Sequence, residues 1–303
     1  MAEKGSRAKL LILLLVLLLV LVSLGVFGYG GIKRFFSAQQ ADTCTVTGQD
    51  GGSQTMSSEQ AVNAATVAAV ALERNMYPQA ATIGLATVSV ETNYVNLPYG
   101  DLDSAGLFQQ RPSQGWGTAA EVQDPVNAAN SFYNHLEAIG NYQNLPVGRT
   151  AQRVQLSGYP DRYQEHADEA KRWADAFTGT GGAHLSCVVP EAEQVSLPVT
   201  SLEDELVAHF GATVQVQKVN GNLRVRATGT YSGAGSLSAD EAKHAVLLAV
   251  AHWSVAQANP YSLNAIEFDG KMWARDKNID RTFTDPQGWQ ESSASADTVL
   301  IQE

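Results

Sequence analysis

The pattern of apolar and polar positions along this 303-residue chain changes three times. Leu10 to Tyr29 is an apolar run without a charge. At about 1.5 Å per residue, a helix of that length spans about 30 Å, one hydrocarbon core. Residues 36–56, rich in Gln, Thr, Gly and Ser, read as a polar stalk. From Ser57 the spacing becomes helical. Ser57-Ser-Glu-Gln60 has the form of a capping box and opens a helix to about residue 75. Pro78 suits the first turn of a second helix ending near Thr92. Residues 93–117 carry turn chemistry, in Leu97-Pro-Tyr-Gly-Asp101 and Arg111-Pro112, and predict loops and short strands. Asp124-Pro125 pairs an N-cap with Pro at N1 and starts a helix to about residue 139, with Val126, Ala129, Phe132, Tyr133 and Leu136 at helical spacing. Two further helices are expected over about 150–157 and 161–177, before Gly179-Thr-Gly-Gly182 ends the block.

Beyond a linker at 188–200 the period drops to two. Thr213 to Val219 alternates, Asn220-Gly221 is a strong two-residue hairpin signal, and Leu223 to Ala227 alternates back. Ser238-Ala-Asp-Glu241 caps a helix to about residue 258. Ile266-Glu-Phe268, Asp269-Gly270 and Lys271-Met-Trp273 form a second hairpin pattern. The pattern predicts a mainly α unit at 57–187, then a small α+β unit at 201–303 with the order ββαββ. An N-terminal membrane helix precedes both.

Charge and cysteine usage narrow the setting. Lys4, Arg7 and Lys9 precede the apolar run; Lys33 and Arg34 follow it. Three basic residues plus the amino terminus favour an uncleaved signal anchor with its N-terminus in the cytoplasm and the remainder outside. A cleaved secretory signal is the other reading, but Ser37 to Ala41 makes a poor cleavage site. The whole chain carries a net charge of −11. Setting aside residues 1–35 leaves 15 basic and 30 acidic residues, which excludes the basic footprint a nucleic-acid partner needs. Cys44 and Cys187 are the two cysteines. Outside the membrane such a pair is most simply a disulfide, contributing about 3–5 kcal/mol by closing a long loop. Two cysteines without a His cluster make no structural zinc site, and no cofactor motif is present.

Glu91 is the most informative titratable residue. It ends an uncharged segment from Ala80 to Val90, and no basic residue lies within fifteen positions on either side. Burial beside Val88 and Val90 disfavours the ionised form and makes a general acid. Asp101 and Asp103 are the nearest second carboxylates; the other reading makes them turn residues bonded to nearby backbone amides.

Glu91-Thr92, then Gly106-Leu-Phe-Gln109, then Asp124-Pro-Val-Asn127 running to Phe132-Tyr133 resembles the lysozyme-like core of lytic transglycosylases. The longer string from Tyr99-Gly-Asp-Leu-Asp103 to Gln110-Arg-Pro-Ser-Gln-Gly-Trp116 is similar to actinobacterial membrane-anchored cell-wall proteins, many of which bracket the domain with two Cys. The resemblance covers about residues 44–187. It implies a lysozyme-like fold and a single catalytic acid/base, Glu91. That residue would protonate the bond between N-acetylmuramic acid and N-acetylglucosamine, and the muramyl 6-hydroxyl would close an anhydro ring. Gly106, Phe108 and Gln109, on a strand, would line the sugar groove, and Asn127 would support the wall beneath Glu91. Thr92 stands where the family has Ser, and Phe108 where it has Met. The late Tyr-Asn motif is replaced by Val154-Gln-Leu-Ser-Gly158, with Gln155 as the polar sugar contact.

Other residues carry two readings. Trp116 either packs its loop or stacks on sugar. His135 and His166 lie on helices without metal spacing and read as structural. Trp253, Trp273 and Trp289 either fill a core or offer an aromatic surface to carbohydrate or to an envelope protein partner of residues 201–303. Two functions therefore stand: a membrane-anchored peptidoglycan glycosidase acting on glycan strands, or a non-catalytic wall-binding or envelope-assembly module that keeps the fold.

Overall fold

The computed structural model describes residues 42–157, 161–189, 201–229, 231, 235, 237–275 and 288–302. The apolar run 10–29 and most of the linker lie outside the described residues. Among the described residues, no helix is long and apolar enough to cross a membrane.

Nine helices and two antiparallel sheets make up this part of the chain. Strands β1 (Thr43–Thr47), β2 (Ser53–Ser57) and β3 (His184–Val188) form the first sheet, in the order β2-β1-β3. The expected stalk is therefore partly strand. Thr43-Cys-Thr-Val-Thr47 alternates, and it buries Cys44 and Val46 while its threonines remain part-exposed. Cys44 faces Cys187 directly across the β1–β3 pair and is joined to it by a disulfide.

Helix α1 (Ser58–Glu73) begins as its capping box dictates: Ser57 Oγ accepts from the Gln60 amide, and Gln60 Oε1 accepts from the Ser57 amide. Helix α2 (Pro78–Thr92) starts with Pro at N1 and ends at Asn93, whose φ is 51°. Both helices are apolar almost all round and are buried accordingly. They are followed by α3 (Ala119–Gln123), α4 (Pro125–Ile139), α5 (Val147–Gln155), α6 (Arg162–Glu165) and α7 (Ala167–Thr178). The single helix expected over 161–177 is broken at His166, whose φ of −95° and ψ of 0° are not helical. Helix α7 packs along α2, and α4 packs on α1.

The second sheet has six strands: β4 (Val214–Val219), β5 (Asn222–Ala227), β6 (Ala265–Phe268), β7 (Lys271–Ala274), β8 (Trp289–Glu291) and β9 (Val299–Gln302). Its order is β4-β5-β9-β6-β7-β8. Both expected hairpins form, with Asn220-Gly221 and Asp269-Gly270 at positive φ as a tight hairpin turn requires. The carboxy-terminal strand β9 lies between the hairpins and pairs antiparallel with β5 and β6. The ββαββ expectation thus lacked β8, β9 and helix α8 (Leu202–Phe210), which Ser201 caps.

Helix α9 (Ala239–Ala256) exposes a charged first turn, Asp240, Glu241 and Lys243, but from Ala245 to Ala256 it is apolar and almost wholly buried. One flank lies on β5, β6 and β9, and another packs against α1 and α7. Residues 57–187 and 201–303 therefore share one continuous apolar core. Directed hydrogen bonds lock the two parts together. Trp273 Nε1 donates to the Cys187 carbonyl at 3.1 Å, Trp289 Nε1 donates to Leu185 at 2.8 Å, and Tyr231 Oη donates to Met76 at 2.7 Å. Trp253 and Trp273 are core residues; Trp289 is half-buried. At the end of α7, Gly179 has φ 68°, and a Cβ there would lie 2.1 Å from the Ala245 carbonyl oxygen of α9.

Two outcomes follow for stability. The disulfide closes a loop of 143 residues, so Cys44→Ser/Cys187→Ser should lose about 2–5 kcal/mol in denaturant unfolding. Gly179→Ala should lose about 1–3 kcal/mol, because it adds left-handed strain to an overpacked helix crossing.

Candidate active site

Glu91 occupies the last turn of α2, half-buried, immediately after the uncharged stretch that threads the core. The next residue, Thr92, is buried. Its hydroxyl lies 3.0 Å from the Leu107 carbonyl oxygen and 3.1 Å from that of Val88, so it ties the helix end to the segment that carries Phe108.

That segment is not the expected strand. Gly106 to Gln109 form a tight turn closed by a single bridge between Ala105 and Gln110. Gly106 makes the turn possible: its φ is 77°, and a Cβ would fall 1.9 Å from the Val122 carbonyl oxygen. Phe108 does not line a groove; it is fully buried and stacks on Phe132 at 4.7 Å. Gln109 braces the loop, its Nε2 donating to the carbonyls of Tyr99 and Gly106 at 3.2 Å each.

Two side chains converge on Glu91. Gln155, at the end of α5, donates from Nε2 to the Phe108 carbonyl at 3.0 Å and makes a longer contact of 3.4 Å to Glu91 Oε1. Tyr163 of α6 donates its phenol to the same Oε1 at 2.5 Å. Oε2 has no hydrogen-bond partner among the described residues. Burial pushes the Glu91 carboxyl above its ordinary value of 4.5; the Tyr163 and Gln155 hydrogen bonds and the Arg162 charge act in the opposite direction, and burial wins. The Tyr163 phenol is pushed up too, by burial and by the carboxylate beside it.

Tyr163 was missed because it lies inside a segment read as one amphipathic helix, where a buried tyrosine looks like ordinary core. The break at His166 is what aims it: α6 turns its tyrosine to Glu91 while His166 Nδ1 lies 2.8 Å from Ser89 Oγ on α2. Tyr163 thus brings to Glu91 a phenol that the stretch from Val154 to Gly158 does not contain.

The remaining expected residues sit elsewhere in the architecture. Asp103 is engaged by Arg111 Nε at 2.9 Å and by both the amide and hydroxyl of Ser113; the Arg111 guanidinium chiefly holds its carboxyl down, to about 2. Asp101 is exposed, and its carbonyl accepts from Ser104. Trp116 is half-buried, with its ring 4.2 Å from that of His135. Asn127 does not underpin Glu91; it lines a cavity bounded by α8 and the segment after α9. The arrangement around Glu91 can donate one proton from Oε2 and stabilise the anion left behind through Oε1. Among the described residues, no cluster of three side chains fit to hold a metal ion occurs.

A carboxyl raised in the folded state binds more protons there than in the unfolded chain, so its burial costs stability as pH rises from about 4.5 through the folded value. Glu91→Gln should therefore melt at a higher temperature than the wild type at pH 7. The gap should close as pH falls toward 4.5, as followed by thermal unfolding at a series of pH values.

No protein-family model and no curated protein matches this chain.

Proposed function

We propose that this protein is a peptidoglycan glycosidase, held at the cell membrane through residues 10–29, with residues 42–302 outside the membrane facing the wall. It cleaves the β-1,4 bond between N-acetylmuramic acid and N-acetylglucosamine. One observation carries this reading: a half-buried Glu91 whose pKa is raised by burial, with Tyr163 and Gln155 both on Oε1. Such a carboxyl keeps its proton closer to neutral pH than a solvated one. Oε2 delivers that proton to the leaving glycosidic oxygen, and Tyr163 stabilises the resulting carboxylate through Oε1.

The second half of the reaction needs a nucleophile at C1 of the muramyl residue. Asp103, bound by Arg111 and Ser113, is poorly placed to serve. This supports attack by the substrate's own 6-hydroxyl, whose proton passes to the Glu91 carboxylate and restores the acid. The bond from C1 to the leaving oxygen breaks, the bond from O6 to C1 forms, and the product is a 1,6-anhydro sugar. No water is consumed. Residues 201–303 share the core with this unit and are left to hold an envelope partner.

The test is incubation of the full-length chain, in detergent micelles, with purified peptidoglycan, followed by mass spectrometry of the released muropeptides. Wild type should release anhydro-muropeptides, and Glu91→Gln should be slower by about 10²–10⁴-fold. Reducing ends would point to hydrolysis instead. Binding of glycan by both proteins with cleavage by neither would leave the wall-binding module as the function. In Tyr163→Phe, loss of a hydrogen bond that favours the anion should raise the Glu91 pKa further. The alkaline limb of the pH profile should then move to higher pH; an unmoved limb would remove Tyr163 from the mechanism.

A further inference from the structure

Glu91 takes its side-chain hydrogen bonds from Gln155 at the end of α5 and from Tyr163 on α6. Among the described residues, the charged and titratable groups that act on its carboxyl are Tyr163 and Arg162, and both arrive on α6. Helix α6 is four residues long and has no side-chain cap of its own. A helix so short does not hold its place by itself. Contacts outside it decide where Tyr163 sits.

One such contact lies at the carboxy-terminal end of α6, where His166 Nδ1 is 2.8 Å from Ser89 Oγ. The others lie at the start of α5. Gly148 is in the first turn of that helix, where backbone amides have no partner within the helix. Pro146, at the N-cap, supplies no side-chain acceptor. Gln164 of α6 fills that role from outside: its Oε1 accepts from the Gly148 amide at 3.0 Å.

Gly148 is also where the two helices come close. A Cβ there would lie 2.6 Å from the Gln164 amide nitrogen and 2.8 Å from its Cα. The φ of Gly148 is not left-handed, so its conformation does not require glycine, and a helix position favours alanine. Space is what requires glycine here. The atoms it admits belong to the α6 backbone, which cannot swing aside as a side chain does. An added methyl would set α6 back by about 1 Å to reach ordinary contact distance. Tyr163, next to Gln164, has its Oη 2.5 Å from Glu91 Oε1. A shift of that size would carry the pair to the outer limit of a hydrogen bond.

We propose that Gly148 and Gln164 are positioning residues: together they seat α6 against α5 so that Tyr163 Oη rests on Glu91 Oε1. The inference rests on Glu91 as the acid of the proposed glycosidase, but its test reads the carboxyl itself, whether or not glycan is cut.

The full-length chain, in detergent micelles, is labelled with ¹³C at glutamate Cδ, and Glu91→Gln identifies the Glu91 resonance. The Glu91 pKa is then read by NMR titration in wild type, Tyr163→Phe, Gln164→Met and the double variant. In wild type, Tyr163→Phe should raise the pKa, because a hydrogen bond that favours the anion is lost. In the Gln164→Met background the phenol is already displaced, so the same substitution should shift it about half as much or less. Gly148→Ala should uncouple the pair likewise. Gln164→Glu, which keeps an acceptor for the Gly148 amide, should restore the full shift.

A residue that only stabilised the fold would lower the melting temperature and leave the Tyr163→Phe shift intact. Equal shifts in the wild-type and Gln164→Met backgrounds would overturn the proposal, as would the absence of a shift in wild type. Should Gly148→Ala fail to fold, the Gln164→Met comparison decides alone. Coupled shifts without release of muropeptides would keep the positioning role and count against the glycosidase; uncoupled shifts with release would do the reverse.

Discussion

Helix α2 carries no charge between Pro78 and Val90, and its first three turns have no face that water solvates well. Enclosing it is the constraint that the surrounding helices meet: α7 lies along it, and α1, α4 and α5 close the other sides. Alanine and glycine at the contacts let the backbones approach. At Gly84, a Cβ would come within 2.7 Å of the Tyr133 hydroxyl. Glu91 sits where this enclosure ends. Its carboxyl is part-shielded because the helix before it is fully shielded, and the rise in its pKa is a by-product of packing rather than of a neighbouring negative charge.

The same helix end organises the loop that faces it. Thr92 clamps Leu107, Gly106 permits the turn, and Phe108 drives its ring into the core against Phe132. What the turn presents to Glu91 is backbone, the Phe108 carbonyl, which Gln155 reads together with the carboxylate. Residues that look like sugar contacts in a linear motif are therefore largely scaffold. The groups that touch the carboxylate arrive from α5 and α6, more than sixty positions later.

The carboxy-terminal part belongs to the same energetic unit. Helix α9 supplies apolar cover for α1 and α7, and in return gains cover away from its sheet. Trp273 and Trp289 bond to the backbone of β3, next to Cys187 of the disulfide. The disulfide, the sheet and the tryptophans thus restrain the same strand from different directions, and loosening any one of them loads the others.

Local signals were legible in the chain because they act over a few residues. The capping boxes at Ser57 and Ser238, the Pro78 and Asp124-Pro125 helix starts, and both hairpin turns could all be named before any fold was known; the Cys44–Cys187 pair followed from there being two cysteines, and Gln155 was named beside Glu91 only through the motif resemblance. The alternation in Thr43 to Thr47 was equally local, but its threonines hid it as stalk. Other features depend on partners distant in sequence. The break at His166, the delivery of Tyr163 to Glu91, the insertion of β9 between two hairpins, and the diversion of Asn127 into the cavity beside His209 are of this kind. A helix pattern states that a face is apolar; it does not state which neighbour covers that face. Periodicity and capping by themselves determined most of the long helices and both hairpins, because these signals arise from contacts a few residues apart. Only the tertiary structure decided which phenol reaches Glu91, because that choice rests on the packing of helices whose apolar faces could each have met several others.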